Sequence, residues 1–375
     1  MKYMEIENAP FAEHEIDVFK NRLWVINDLI TADRTADARA AINELFPVTQ
    51  LPYEHDLSLL YTMTDARILF KESDMPAAEE KVKAADAFLD GASDEALILY
   101  HRNRGFLYQA QGDIKNSLIQ YLLAADIEST ILPADANLYL NIGIMYTHLG
   151  KPNLVVNYLE RARLLYDYGR THAIGPYIDN TLALSYLSLG QYGKAKKLLH
   201  KCLTAAKSIG NAFAIGTATG NLGNAYALEG DVKTGLKLIE QGMEYLNEHE
   251  ETYRQSLYIK AGYLIIMKKY NEAKDAIEHG KLLYKDDDMF AIGFEALECV
   301  LRLQSSQKDN VAAEYIGNVA IPHFRYAELS YRHTTLWLCD MLEAYYKKHR
   351  NTKMAMATAA VIRDIYKEMF IGDVE

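Results

Sequence analysis

One pattern of residue types returns along this chain at intervals of 38 to 40 residues, and it leaves few folds open. It runs small residue, an aromatic or aliphatic residue three on, often Gly seven on, a small or aliphatic residue twelve on, a large apolar one sixteen on and a small or apolar one nineteen on. The clearest copies are Gly105/Tyr108/Gly112/Ser117/Tyr121/Ala124, Gly143/Tyr146/Gly150/Val155/Leu159/Ala162, Ala183/Tyr186/Gly190/Ala195/Leu199/Cys202 and Gly223/Tyr226/Gly230/Gly235/Ile239/Gly242. Ala66/Leu69/Ala78/Val82/Ala85 begins the series, and Ala261/Leu264/Ala273/Ile277/Gly280 continues it with Lys268 in place of the turn glycine. After a longer polar connection, Ser305 to Asn310, Leu342/Tyr346/Arg350/Ala355/Ala359/Ile362 restores a late copy.

Such a unit is a helix, a tight turn with Gly in the left-handed region, and a second antiparallel helix. The small residues let the two helices approach. Neither helix can bury its apolar stripe alone, so neighbouring hairpins must stack, and a period of this length is that of a solenoid with a concave inner wall. The expectation is an all-α, right-handed superhelix of about seven or eight hairpins.

Composition supports a folded chain and removes several functions. Of 375 residues 50% are hydrophobic and 24% charged, with only 8 prolines, enough apolar matter for a continuous core. The formal charge of -11 argues against a nucleic-acid surface, which needs a basic face to displace counterions from phosphates. Cys202, Cys299 and Cys339 are odd in number and far apart, so neither a disulfide framework nor a zinc ribbon is written here. No segment has the apolar length of a signal peptide or membrane span, which points to a cytoplasmic protein with no membrane partner.

Residues 13 to 60 read as helices without the repeat signature, at His14 to Ile30, Thr35 to Phe46 and Glu54 onward, with Pro47 and Pro52 bracketing a break. The expected division is a three-helix segment over residues 1–60 and a repeat domain over 61–375. Residues 1 to 60 carry 5 Lys/Arg against 11 Asp/Glu and no short helix with the Arg, Asn or Gln set that reads base edges, so direct DNA binding is not expected.

On the first helix of each repeat, positions six and three before the small anchor and one and four after it form one stripe of a 3.6-residue period, and that stripe should line the concave wall. It contains Arg102, Phe106 and Gln109; Asn137, Leu140, Ile144 and Thr147; Tyr177, Asn180 and Leu184; Thr217, Gly220 and Asn224; Gln255 and Tyr258. Amides offer a donor and an acceptor, which suits the N–H and C=O of an extended peptide, and Arg102 suits a carboxylate. The candidate peptide-binding residues are therefore Arg102, Asn137, Tyr177, Asn180, Thr217, Asn224, Gln255 and Tyr258. For Asn180 and Asn224 the competing reading is a solvated groove face. Asn103, Asn141 and Asn221, two residues before their anchors, leave the stripe and read as structural. Tyr108, Tyr146, Tyr186 and Tyr226 read as packing residues, three after each anchor.

Other signals carry no chemistry. Gly210, Gly216, Gly220 and Gly223 lack the G-x-G-x-x-G spacing and are better explained by close helix packing. No H-E-x-x-H, C-x-x-C or Walker sequence occurs, so no metal, cofactor or catalytic residue is expected, and Asp286 to Asp288 read as a solvated turn.

The run Asn221-Leu222-Gly223-Asn224-Ala225-Tyr226, followed by Gly230 and Asp231, closely resembles the tetratricopeptide-repeat (TPR) consensus, and the resemblance covers about residues 60 to 365. TPR proteins are all-helical modules that bind peptides and extended protein segments. The N-terminal helices followed by long-period repeats further resemble the Rap proteins and the related NprR, PlcR and PrgX-type quorum-sensing receptors of Gram-positive bacteria. Asp33-Arg34-Thr35-Ala36-Asp37-Ala38, Asp56-Leu57-Ser58-Leu59-Leu60-Tyr61 and the closing Ala344-Tyr345-Tyr346-Lys347-Lys348-His349-Arg350 carry that likeness. It implies a non-enzymatic intracellular receptor for a short signalling oligopeptide that controls a response regulator or another protein partner, with a homodimer compatible. The rivals are a constitutive TPR scaffold, a Rap-like phosphatase, and the sensor half of a transcription factor whose DNA-binding domain is missing here. Rap phosphatases orient a water with a glutamine just before this Asp-Leu stretch. That place falls on His55 here, with Gln50 nearby beyond Pro52, so no phosphatase activity is expected.

Overall fold

The computed structural model describes residues 13–45, 55–129, 135–168, 175–283, 289–304, 308–325 and 332–370, and every regular element among them is helical. In chain order these are α1 (Glu13–Thr31), α2 (Thr35–Asn43), α3 (His55–Lys71), α4 (Met75–Ala84), α5 (Asp94–Ala110), α6 (Ile114–Glu128), α7 (Ala136–His148), α8 (Pro152–Tyr168), α9 (Gly175–Ser188), α10 (Tyr192–Ser208), α11 (Ala212–Glu229), α12 (Val232–Met243), α13 (Glu251–Ile266), α14 (Tyr270–Leu282), α15 (Met289–Leu303), α16 (Asn310–Tyr315), α17 (Ile321–Arg325), α18 (Arg332–Lys348) and α19 (Thr352–Phe370). A π-helical turn, Ile316–Ala320, joins α16 to α17. The expected all-α fold of TPR-type hairpins is what these residues adopt. Pairing successive helices gives nine hairpins among the described residues, more than the seven or eight that the spacing predicts.

Eight of the nine close in one way. The last residue of the turn donates its N–H to the carbonyl five residues back, as in Asp113 to Tyr108 (2.9 Å), Gln191 to Tyr186 (2.8 Å), Asp231 to Tyr226 (3.0 Å) and Lys269 to Leu264 (2.9 Å). This closure needs a left-handed residue just before the donor. Gly112, Gly150, Gly190 and Gly230 supply it, and so do Asp33, Ser73, Lys268 and Arg350 despite their Cβ atoms. The next helix then starts on a side-chain cap in several hairpins, where Asp74, Asp113, Asp231 and Asn351 accept N–H groups of its first turn. Each such cap is worth about 1 kcal/mol.

One of these closures corrects the reading of the N-terminus. The α1–α2 hairpin turns at Asp33, and Arg34 donates to Leu29 at 2.9 Å, so Ile26, Leu29, Asp33, Ala38, Ile42 and Leu45 occupy the repeat positions. It is a repeat hairpin disguised by Ile at the small anchor and Asp at the turn, a residue that tolerates the left-handed region. The division expected at residue 60 falls inside α3. Leu23, Ile26 and Ile42 share a single core with Leu59, Met63 and Tyr100. Pro47, Gln50, Pro52 and Asp286 to Asp288 lie outside the described residues.

The chain divides into two compact units, residues 1–145 with 164–173 and residues 146–163 with 174–375. The first is built on the core just named. In the second, a cluster running from Ala227 through Phe294 and Phe324 to Ile365 fills the space between α11 and α19. Here the glycine-rich α11 packs backbone to backbone on α12. A Cβ on Gly223 would sit 2.6 Å from Gly235 O, and one on Gly216 2.8 Å from Gly242 O. Close helix approach, as expected, accounts for these two glycines, while Gly210 serves a turn at φ +67°. Among the described residues no helix is long and apolar enough to cross a membrane.

Candidate functional site

In the second unit the inner helices α9, α11, α13 and α18 bring part of the expected stripe together. Asn221 Nδ2 donates to Asn180 Oδ1 at 3.0 Å, linking α11 to α9. The hydroxyl of Tyr263 donates to Asn224 Oδ1 at 2.6 Å, linking α13 to α11. Asn221 was expected to stand apart from the stripe, and instead bonds a stripe residue. Each bonded pair leaves amide hydrogens over, since a carboxamide carries two donors and an oxygen with two lone pairs.

Beside Asn224 lies a cavity of about 140 Å³, lined by Leu228, Tyr258, Ile259, Gly262, Tyr263, Ile266, Thr334 and Trp337. Its wall is mostly apolar, with Asn224 at one side. Tyr258 is 4% exposed and packs on Phe294 and Phe324 at 5.6 and 6.2 Å between ring centroids. Its buried hydroxyl has no hydrogen-bond partner of good geometry, although Thr334 stands close, and burial raises its pKa. Tyr258 is therefore a wall of the cavity, held by the core behind it. Thr334 and Trp337 come from α18, more than a repeat further on, and the spacing argument did not find them.

The remaining stripe residues of this unit are spread more openly. Tyr177 is 69% exposed. Thr217 turns its hydroxyl back to Phe213 O at 2.9 Å, which leaves it weakly available. Gln255 is half-buried on α13. The tyrosines expected to pack do so: Tyr186 donates to Glu160 at 2.6 Å under Lys194, Tyr226 lies under Lys196, and Tyr146 stacks on Tyr158 at 5.4 Å.

In the first unit the structure reassigns two expected contacts. Arg102 pairs with Asp135 at 2.6 Å, so its carboxylate partner is internal. Asn137 also serves Asp135, giving it both a backbone N–H at 2.8 Å and a side-chain N–H at 3.1 Å at the start of α7. Burial opposes ionisation of Asp135, but Arg102 and these bonds hold its pKa below the usual carboxylate range. Asn103, read as structural, is 4% exposed and donates to Met63 O at 2.6 Å.

At the start of α3, His55 lies on the surface with Nδ1 3.0 Å from Asp90 O. Asp56 is occupied by Lys20 at 2.6 Å and by the N–H and hydroxyl of Ser93. Against the cost of burial, those bonds lower its pKa. Among the described residues no group of His, Cys, Asp and Glu is placed to hold a metal ion, and all three cysteines are buried as free thiols.

The tetratricopeptide-repeat family matches residues 180–209, the α9–α10 hairpin. No curated protein sequence matches the chain. Solved structures do, over nearly the whole length. The apo form of the quorum sensor NprR from B. thuringiensis superposes with a TM-score of 0.73 at 19% identity, covering 94% of this chain and 100% of that one. NprR in complex with its cognate peptide NprX gives 0.69 at 19% identity, covering 93% and 99%. A Rap protein complexed with Competence and Sporulation Factor gives 0.70 at 17% identity, covering 95% and 99%. At this identity the likeness is one of fold: the chain matches a tetratricopeptide repeat at residues 180–209 and is built on the same plan of helical hairpins as NprR and the Rap proteins.

Proposed function

We propose that this chain is a non-enzymatic, peptide-responsive regulator. An extended oligopeptide lies along the inner helices of the second unit, its backbone paired by Asn180, Asn221, Asn224 and Gln255. One apolar side chain of the peptide enters the cavity walled by Tyr258 and Trp337. The observation that carries the reading is this cavity beside a line of half-buried amides, since most peptide sites combine a side-chain pocket with alternating donors and acceptors. NprR, which shares the fold, is known in complex with its cognate peptide NprX, and a Rap protein in complex with Competence and Sporulation Factor. Occupancy alters the hold on a protein partner, of which a response regulator is one class, provided the peptide binds one conformation of the chain better than another.

Calorimetry of the full chain against the short peptides encoded beside its gene tests this. Saturable binding of one of them is expected. Failure of every such peptide, with a protein partner still bound, would favour a constitutive scaffold.

A further inference from the structure

The cavity beside Asn224 in the second unit is sized for a ring. At about 140 Å³ it is close to the roughly 150 Å³ of an apolar protein cavity that takes up benzene, so it holds one six-membered ring and little more. Its surfaces are suited to a flat group. Trp337 and the ring of Tyr258 form part of the wall, and Tyr258 is braced from behind by Phe294 and Phe324, at 5.6 and 6.2 Å between ring centroids. At Gly262 the wall is bare backbone, where a Cβ would meet nothing within 4 Å. An aromatic ring gains more from aromatic walls, by edge and face contact, than the buried area alone supplies.

Polarity narrows the choice of ring. None of the described residues that line the cavity is charged, so an acidic or basic side chain entering it would be buried without a partner. Asn224 is half-buried, and its Oδ1 is taken by the hydroxyl of Tyr263 at 2.6 Å. Its Nδ2 makes no bond among the described residues, so this amide offers the cavity donors rather than an acceptor. The hydroxyl of Tyr258 is buried, which leaves its ring as the surface a ligand meets. A plain hydrocarbon ring would cover the Asn224 N–H groups without pairing them, and that costs free energy. A ring with an oxygen at its edge pairs one of them. Phenylalanine lacks the oxygen, and the indole nitrogen of tryptophan only donates.

We propose that this cavity recognises a tyrosine side chain of the bound peptide, with its ring against Trp337 and Tyr258 and its phenol oxygen accepting a hydrogen bond from Asn224 Nδ2. The proposal rests on the peptide reading above and narrows it to tyrosine-bearing peptides.

The test uses the full chain and dye-labelled hexapeptide pools, each with one position fixed as Tyr, Phe or Leu, read by fluorescence anisotropy. At one position the Tyr pool is expected to bind roughly fivefold more tightly than the Phe pool or better, and the Phe pool more tightly than the Leu pool. The preference for Tyr over Phe should vanish when Asn224→Leu is combined with Tyr263→Phe, a pair that strands no hydroxyl, while the preference for Phe over Leu survives. The contrast between Tyr and Phe pools on the unaltered chain decides the matter even where the double variant does not fold. Binding with no preference for Tyr at any position would leave the peptide reading standing and overturn this proposal, as would a preference for Tyr over Phe that persists in the folded double variant. If no pool binds at all, the peptide reading fails and the proposal falls with it.

Discussion

Asn221 donates its side-chain amide to Asn180 Oδ1 at 3.0 Å, joining two residues 41 apart in sequence on neighbouring inner helices. The pair does not use the amide hydrogens of Asn180 or the carbonyl of Asn221, and in the proposed site these pair with the peptide. Asn180→Ala and Asn221→Ala should each weaken peptide binding by about 1 to 3 kcal/mol, because each strands a desolvated peptide group. Because the two share a bond, the double variant should lose less than the sum of the single losses. Asn103→Ala, which removes a buried bond to Met63 O inside the first unit, should lower melting and leave binding alone. Calorimetry and thermal unfolding on the same samples separate the two effects.

How far this was legible in the sequence depends on where each partner comes from. The turn glycines and the tyrosines three after each anchor announce the hairpins because turn geometry is local. Asp33, Ser73 and Arg350 serve the same turn without being glycine, so nothing local in the sequence announces the α1–α2 hairpin as a repeat. The stripe puts Asn224 and Tyr258 on one face, and both line the cavity. It could not show that Arg102 is held by Asp135 from the connection before α7, or that Trp337, far along the chain, closes the cavity. Helical spacing reports which residues share a face, and nothing about what another helix brings to them.

The backbone contact between α11 and α12 sets a second expectation. A methyl group on Gly223 meets Gly235 O at 2.6 Å and Ile239 N at 2.8 Å, atoms that cannot move independently. Gly223→Ala should cost about 1 to 3 kcal/mol of stability. Chemical denaturation measures it, and an unchanged midpoint would mean the helices stand further apart.

Glu128 gives a pH-dependent expectation in the first unit. It is 5% exposed, one oxygen accepts Asp135 N–H at 3.0 Å, and burial raises its pKa. A folded-state pKa above the unfolded value means that its contribution is fully present below the unfolded pKa and is lost as pH rises through the folded one. Glu128→Gln keeps the acceptor and removes the charge. It should melt higher than the unaltered chain at neutral pH, and the difference should close as pH falls below about 4.3, the ordinary glutamate value.

His55, at the place that the sequence resemblance to Rap phosphatases gives to a glutamine, offers only a ring nitrogen, already close to Asp90 O. The full chain is therefore expected not to speed loss of phosphate from an aspartyl-phosphorylated response regulator. A rate enhancement that His55→Ala removes would promote the enzymatic reading.

Gly262 gives the most direct access to the central claim. It lines the cavity, and a Cβ built on it meets nothing within 4 Å. In Gly262→Leu the chain's own side chain fills the space that the proposed site gives to the peptide, and replacing a mid-helix glycine should stabilise α13 by up to about 1 kcal/mol. Only two tryptophans are present, so Trp24→Phe leaves Trp337, on the cavity wall, as the sole indole reporter. Titrating that chain with the peptide found by calorimetry should change the Trp337 emission saturably, and adding Gly262→Leu should abolish both the change and the binding while melting stays level or rises. Unaltered peptide affinity in a folded Gly262→Leu chain would contradict the account.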